Sequence, residues 1–206
     1  MPHVAILPFD PASDLDAIVE FLSSNSFPFH GRPSVLEEDA RARVLEGHYW
    51  SDVKAGHWVV VDGVRVGIVV LEDIEDIAGG GAPLFDLRLG ERFRGSGLGE
   101  PVVRALTDYV FEKYPTLRRF EGQTREDNIA MRKVFVRAGW VKEAHYRQAW
   151  PIEGAEPKAS IAYGVLRRDW ETGTITPVDW ETTCLPDTNA DHSQGTTQRP
   201  LLADVR

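Results

Sequence analysis

A glycine-rich loop between a strand and a helix constrains this chain more than any other feature. Residues 85–89 alternate apolar and polar side chains as a strand does, and residues 102–111 carry the apolar stripe of a helix. Between them, residues 94–99 read Arg-Gly-Ser-Gly-Leu-Gly. Glycine lets main-chain N–H groups close on a ligand, and a helix start adds free N–H groups and a positive dipole end. This order predicts a binding site for a phosphate or pyrophosphate.

The spacing of the glycines narrows the choice of ligand. A Walker loop requires Lys after its last glycine, and Glu100 stands there instead. The dinucleotide pattern G-x-G-x-x-G also fails at Glu100. The pattern that the residues do fit is Arg-x-x-Gly-x-Gly. Pro101 follows it in the first helical turn, where the missing N–H of proline is tolerated.

Length, charge and cysteine content limit the classes of protein. The 206 residues suffice for one domain with appendages. The single Cys184 allows no internal disulfide, so we expect a reducing, cytoplasmic location. The N-terminus lacks a basic region and a long apolar run, so we expect no signal peptide. The net charge of -9 argues against nucleic-acid binding and is compatible with a cationic substrate. We expect no membrane span, since no apolar segment approaches the required ~20 residues. No group of His, Cys and Asp has metal-binding spacing, so we expect no metal.

Hydrophobic periodicity divides the chain into ordered elements and a tail. The predicted order is a strand, two helices, a hairpin, a central strand, the glycine loop, a long helix, a strand, a helix and two strands. From about residue 170 the chain is rich in Thr, Asp and Pro with sparse apolar residues. We therefore predict a domain over residues 1–170 and an irregular tail over residues 171–206.

A second motif completes a family resemblance. Residues 128–140 read Asn-Ile-Ala-Met-Arg-Lys-Val-Phe-Val-Arg-Ala-Gly-Trp. Together with Arg94, Gly97 and Gly99, this segment resembles the GNAT-type N-acetyltransferases, over roughly residues 3–170. The end of the domain is similar to the subgroup of ribosomal-protein N-terminal acetyltransferases. The resemblance implies the α/β GNAT acyl-CoA N-acyltransferase fold, a mixed and mostly antiparallel sheet with splayed central strands, flanked by helices.

The resemblance also implies acetyl-CoA as cosubstrate and a set of residues that hold it. The central strand would pair by its main chain with the pantetheine arm, and the glycine loop would hold the pyrophosphate. Asn128 would hydrogen-bond the arm, and Arg132 or Lys133 would meet the adenine-side phosphate. The implied coenzyme-binding residues are Leu87, Leu89, Arg94, Gly95, Ser96, Gly97, Leu98, Gly99, Asn128 and Arg132.

The chemistry requires a proton acceptor whose identity the sequence leaves open. A primary amine has a pKa of about 10.4 and must lose a proton before it attacks a thioester. The candidate bases are Asp86 on the central strand and Glu121 on its neighbour, with Glu72 third. Many family members use a Tyr of the fourth helix as the acid, and Phe135 occupies that position here. The candidate acids are Tyr146, Tyr163 and His145.

These features predict an N-acetyltransferase that moves an acetyl group from acetyl-CoA to a primary amine by direct attack in a ternary complex. The alternative is a non-catalytic acyl-CoA-binding sensor or interaction module, which the missing helix Tyr favours. The acceptor is either a small amine or a protein N-terminus, and a homodimer remains open. A narrow aromatic pocket would favour a small amine and an open groove a protein N-terminus.

Residues of the loop over 25–33 are candidates to line the acceptor pocket, or to plug the loop onto the core. The polar members are His30 and Arg32. The aromatic candidates for the pocket are Phe27, Phe29, Trp50 and Trp150.

Overall fold

The computed structural model describes residues 2–180 as two antiparallel sheets with helices on both sides. The first sheet has the strand order β1-β2-β3-β4, and the second has the order β5-β7-β6. The strands are β1 (Val4–Pro8), β2 (Lys54–Val61), β3 (Val64–Glu72), β4 (Leu84–Leu89), β5 (Arg119–Arg125), β6 (Val141–Ile152) and β7 (Ala155–Leu166). The helices are α1 (Leu15–Ser23), α2 (Glu37–Leu45), α3 (Gly99–Lys113), α4 (Ile129–Arg137) and α5 (Arg167–Thr172).

The central strands β4 and β5 are splayed. Within residues 2–180, β4 pairs only with β3, and β5 pairs only with β7. The two sheets contact each other through side chains at Gly122, where an added Cβ would lie 2.7 Å from the Phe85 ring and 2.8 Å from Phe135. The predicted fold, a mostly antiparallel sheet with an opening between its central strands, is confirmed.

Helices cover both faces of the first sheet because β3 is apolar on both sides. Ile68 and Val70 pack in one cluster with α1 and α2, whereas Val69 and Leu71 pack in the other with α3. A strand buried on both faces is expected to be apolar throughout, as β3 is. The helices therefore fix β4, the neighbour of β3, in place from above and below.

Local sequence signals set the turns that position the site. Asp62 and Gly63 both have positive φ, at 49° and 81°, as a tight hairpin turn between β2 and β3 requires. Asn128 caps α4 by accepting a hydrogen bond from the Met131 N–H at 3.2 Å. Gly139 ends that helix with a φ of 88°.

The predicted boundary at residue 170 falls inside α5, so the ordered part continues past it. The main-chain N–H and the hydroxyl of Thr176 both donate to the Asp169 carboxylate, which ties residue 176 back to α5. Cys184 lies outside the described residues. The division into a domain and an irregular tail stays a prediction. Within residues 2–180, no helix is both long and apolar enough to cross a membrane.

Candidate functional site

The free edge of β4 presents main-chain groups toward the gap between the sheets. The Gly90 N–H donates to the carbonyl of Val66 in β3, whereas the Leu89 carbonyl accepts from Arg94 Nε on the opposite side at 2.9 Å. Alternate residues of a strand direct their main-chain groups to the same side. Leu87 therefore directs its N–H and C=O into the gap.

The glycine loop follows this edge and uses its glycines for two purposes. Gly95 and Gly97 have φ of 73° and 84°, and a Cβ added to either would meet no atom within 4 Å. These two permit a left-handed backbone beside open space. An added Cβ on Gly99 would lie 2.7 Å from Val134 Cγ2, so Gly99 permits the close approach of α3 to α4.

The start of α3 supplies unpaired donors beside the loop. Its N-cap residue Leu98 makes no side-chain cap hydrogen bond. The first N–H groups of a helix have no partner within the helix, and the dipole makes this end positive. The loop and the start of this 15-residue helix together can bind an anion.

A cavity of about 420 Å³, which we call the glycine groove, runs from the loop along β4. Its walls come from the loop between α1 and α2, from β4 and from α4. The cations Lys133 and Arg137 of α4 line it, while Phe27 and Phe29 form part of the opposite wall. The groove is long, mostly apolar and basic at α4, which suits an extended ligand with phosphates.

A second cavity of about 520 Å³, which we call the distal cavity, lies farther toward the start of β4. It is lined by residues of β4 and β5, of the loop between α1 and α2, and by Trp150 of β6. The two cavities meet, because they share the lining residues His30, Leu87, Arg88 and Met131. We call this meeting point the junction.

An ionised carboxylate is held at the junction by two partners. Asp86 Oδ2 accepts from Arg88 at 2.7 Å, and Asp86 Oδ1 lies 2.8 Å from His30 Nε2. Burial alone would raise the pKa of Asp86, but the charge of Arg88 and the hydrogen bond from His30 outweigh it and hold this pKa well below its usual range. Asp86 is therefore a carboxylate at neutral pH.

The pairing with Asp86 also sets the tautomer of His30. Because a carboxylate only accepts, His30 Nε2 carries the proton in this hydrogen bond. In the neutral ring, Nδ1 then holds a lone pair, and Nδ1 is buried without a hydrogen-bond partner among residues 2–180. A proton acceptor without a donor thus lies in a side chain that lines both cavities.

The structure gathers most of the predicted coenzyme-binding residues around the glycine groove. Ser96 stabilises the loop itself, since its hydroxyl donates to the Phe93 carbonyl at 2.5 Å. Arg132 donates to the Glu126 carbonyl and lies outside the groove lining found among the described residues, whereas its neighbour Lys133 lines the groove. The predicted residues that line the groove are Leu87, Leu89, Arg94, Gly95, Gly97, Leu98, Gly99 and Asn128.

The Arg94 side chain is occupied by the protein itself. Its Nε donates to the Leu89 carbonyl, and its guanidinium donates to the Ser26 carbonyl. The guanidinium also lies over the Phe27 ring, 5.3 Å from the centroid. Arg94 therefore joins the glycine loop to the loop between α1 and α2.

The three residues predicted as catalytic do not come together. Asp86 lines the distal cavity, but Glu121 pairs with Arg119 at 3.0 Å, and Tyr163 is buried and stacked on Phe135 with ring centroids 4.6 Å apart. As far as residues 2–180 are concerned, neither Glu121 nor Tyr163 lines the groove or the distal cavity.

The remaining candidates of the sequence divide between the cavities and the core. Glu72 lines the distal cavity and pairs with Lys54 at 2.5 Å. Trp150 also lines that cavity, whereas Trp50 packs edge-on against Phe9 in the cluster under α1 and α2. Sequence reasoning marked His30 as a pocket residue but missed its pairing with Asp86.

The fold and the match to a family model identify the chain as an acetyl-CoA-dependent acetyltransferase. The model of the acetyltransferase (GNAT) domain matches residues 3–141, and the chain belongs to this family. A search of curated protein sequences gave no match.

Solved structures share this fold at low sequence identity. A spermidine N-acetyltransferase from Vibrio cholerae, in complex with CoA and spermine, is 16% identical, with a TM-score of 0.66 over 82% of this chain and 98% of that one. An acetyltransferase from Salmonella typhimurium that modifies the N-terminal serine of a ribosomal protein is 19% identical, with a TM-score of 0.61 over 79% and 94%. A RimL ribosomal-protein acetyltransferase in complex with coenzyme A is 20% identical, with a TM-score of 0.61 over 79% and 93%. At these identities the likeness concerns the fold.

Proposed function

We propose that this protein transfers the acetyl group of acetyl-CoA to a primary amine by direct attack in a ternary complex. The observation that carries the proposal is the junction, where a groove suited to the coenzyme meets a separate cavity beside an ionised Asp86 and its partner His30. Two substrates bound from the two sides would bring their reacting atoms together there, which lowers the barrier by proximity.

The coenzyme would occupy the glycine groove in an extended conformation. Its pyrophosphate would accept hydrogen bonds from the main chain of residues 95–99, and Lys133 and Arg137 would contribute positive charge. An amide N–H of the pantetheine arm would donate to the outward carbonyl of Leu87, as an added strand does. This arrangement would leave the thioester at the junction.

The amine would enter from the distal cavity as an ammonium ion and lose a proton before attack. His30 would accept this proton at Nδ1, and the Asp86 carboxylate would stabilise the imidazolium that forms. Asp86 would thus orient His30 and stay ionised.

The amine nitrogen then bonds to the carbonyl carbon, and the Leu87 N–H would polarise the carbonyl oxygen. Collapse of the adduct breaks the C–S bond and releases coenzyme A as a thiolate, which takes up the second proton that the nitrogen loses as the amide forms. A thiol with a pKa of about 8.5 is a good leaving group without an acid, which suits the presence of Phe135 where other members carry Tyr.

Two kinds of acceptor occur among the structural neighbours, a polyamine and a protein N-terminus. Both are primary amines, so either is compatible with the chemistry at the junction. The proposal therefore specifies the reacting group and leaves the rest of the acceptor to the lining of the distal cavity.

The test is thiol release from acetyl-CoA in the presence of a panel of small amines and short peptides with free N-termini. His30→Gln should lower kcat about 100-fold while the Kd of coenzyme A stays unchanged, since general-base catalysis contributes roughly that factor. The matched control is His145→Gln, which alters an exposed histidine of β6 and should leave both values unchanged.

Coenzyme binding without thiol release on any amine would contradict the transferase proposal. That result would favour the alternative, a non-catalytic acyl-CoA-binding sensor or interaction module. An unchanged kcat in His30→Gln would keep the activity but remove His30 from it.

A further inference from the structure

The carboxylates of the distal cavity are each neutralised by a cation of the protein. Asp86 pairs with Arg88 at 2.7 Å, and Glu72 pairs with Lys54 at 2.5 Å. Within the described residues, these two are the only Asp or Glu side chains that line the cavity. No carboxylate of the lining is therefore left free to bind a cationic substrate.

Two arginines of the same lining are not neutralised. Arg32, in the loop between α1 and α2, and Arg43, in the last turn of α2, both line the distal cavity. Neither side chain makes a hydrogen bond or an ion pair with any residue in the part of the chain from 2 to 180. The cavity thus has two unpaired positive charges in a protein whose net charge is -9.

The position of these arginines separates them from the reacting atoms. Arg32 and Arg43 line the distal cavity and do not line the glycine groove, whereas His30 lines both. They therefore lie on the acceptor side of the junction and away from the coenzyme. An anion held by them would belong to the acceptor.

We propose that the acceptor amine carries a carboxylate or phosphate group, and that Arg32 and Arg43 bind this group while the amine lies at the junction. The inference rests on the proposed function, since it concerns the second substrate of that reaction. Guanidinium groups bind carboxylate and phosphate through paired, charge-assisted hydrogen bonds.

This assignment reverses the expectation from overall charge. The acidic composition is compatible with a cationic substrate, but the unpaired charges in the cavity are positive and would repel the additional positive charges of a polyamine. The lining discriminates by repulsion as well as by attraction. An acidic peptide N-terminus or a small amino acid has the required combination of groups.

The experiment compares three dipeptide amides with the same N-terminal amine, namely Ala-Glu amide, Ala-Gln amide and Ala-Lys amide. The kcat/KM of acetyl transfer should be about tenfold higher for Ala-Glu amide than for Ala-Gln amide, and lowest for Ala-Lys amide. In the double variant Arg32→Gln, Arg43→Gln, KM for Ala-Glu amide should rise to that of Ala-Gln amide with little change in kcat.

The matched control is Arg41→Gln. Arg41 belongs to the same helix as Arg43, but it pairs with Asp16 at 2.8 Å and is not among the cavity residues found in the described chain. This variant should keep the full preference for Ala-Glu amide. Equal kcat/KM for the three amides, or a preference that survives in the double variant, would overturn the inference.

A binding measurement separates this inference from the proposed function. Calorimetric titration of Ala-Glu amide into the CoA-saturated protein should give a Kd about tenfold lower than for Ala-Gln amide, with a difference that shrinks as salt is added. Absence of thiol release with every amine would contradict the transferase reaction, while the two Kd values would still decide whether the arginines bind an anion.

Discussion

The glycine groove and the distal cavity differ in how the chain builds them. The groove is formed largely by β4 and the glycine loop that follows it, together with α4 and the loop between α1 and α2, and it presents main-chain groups. The distal cavity is formed by side chains of α2, α4, β3, β4, β5, β6 and two loops. A coenzyme site made of backbone depends little on side-chain identity, whereas an acceptor site made of side chains can change without disturbing the fold.

The largest expected effect is a loss of affinity for coenzyme A in the glycine groove. Gly97→Trp should weaken the binding of coenzyme A by about a thousandfold or more, because the indole fills the open space beside the loop and the φ of 84° favours glycine. The measurement is the Kd of coenzyme A by calorimetry.

Gly63→Trp is the control for backbone strain. Gly63 also has a positive φ, of 81°, with no atom within 4 Å of an added Cβ, but it lies in the hairpin between β2 and β3. This variant should lose a similar amount of stability and keep its affinity for coenzyme A. A Gly97→Trp protein with an unchanged Kd would remove the loop from the binding site.

The second prediction concerns Asp86, which lines the distal cavity. Asp86→Asn should lower the free energy of unfolding by about 4 kcal/mol, because the half-buried His30 and Arg88 lose their carboxylate. Thiol release should also fall, while coenzyme A should still bind the groove. Denaturant unfolding measures the loss of stability, and calorimetry measures the Kd of coenzyme A. A loss of coenzyme affinity as large, in free energy, as the loss of stability would contradict the separation of the cavities.

The pH dependence of Asp86 has a defined sign. Its folded-state pKa lies below the unfolded value of about 3.9, so its contribution to stability is present above that value and is lost as the pH falls through the folded pKa. Wild-type protein should therefore lose more stability below about pH 4 than Asp86→Asn does.

His57 provides a titration that belongs to the core and to neither cavity. Burial, together with the charge of Lys113, lowers the pKa of His57 to about 4 from 6.5. A neutral buried histidine stabilises the fold fully above its unfolded pKa, and this contribution is lost as the pH falls from about 6.5 toward about 4. Unfolding free energy should therefore drop by about 2 kcal/mol between about pH 7 and about pH 5.

His57→Gln should reduce this slope while leaving the Kd of coenzyme A unchanged. The hydrogen bond between His57 Nε2 and the Tyr109 hydroxyl, at 2.9 Å, should be the contact most affected. A variant with the wild-type slope would show that another group titrates in this window.

The smallest effect concerns the packing that fixes the loop against α4. Gly99→Ala should cost about 1 kcal/mol, because the new Cβ lies 2.7 Å from Val134 Cγ2. Combining it with Val134→Ala should recover part of that cost, and a double-mutant cycle of unfolding free energies measures the coupling. Additive losses would mean that the two helices move apart freely.

The same contrast explains how much the sequence could predict. The glycine loop, the strand before it and the long helix after it were predicted because each depends on neighbours within a few residues. The pairing of His30 with Asp86 could not be predicted in this way, since 56 residues separate the partners and only the packing of α1 and α2 brings them together. For the same reason, the sequence pattern around Arg43 could not predict that its side chain lines the distal cavity.

The local sequence pattern also could not predict which strand side chains reach a cavity. Asp86 and Glu121 both alternate with apolar neighbours, yet Asp86 lines a cavity and Glu121 pairs with Arg119. Glu121 shares a face of β5 with Gln123, which does line the distal cavity, so the two differ in their position along the strand. Alternation identifies the faces of a strand, and only the assembled sheets show which part of a face reaches a cavity.

The most direct test of the account is a crystal structure of the protein in complex with acetyl-CoA. We predict that the pyrophosphate will lie against the main-chain N–H groups of residues 95–99, with the pantetheine arm beside Leu87. The acetyl group should lie at the junction next to His30. Coenzyme bound away from residues 95–99, or with its thioester remote from the junction, would contradict it.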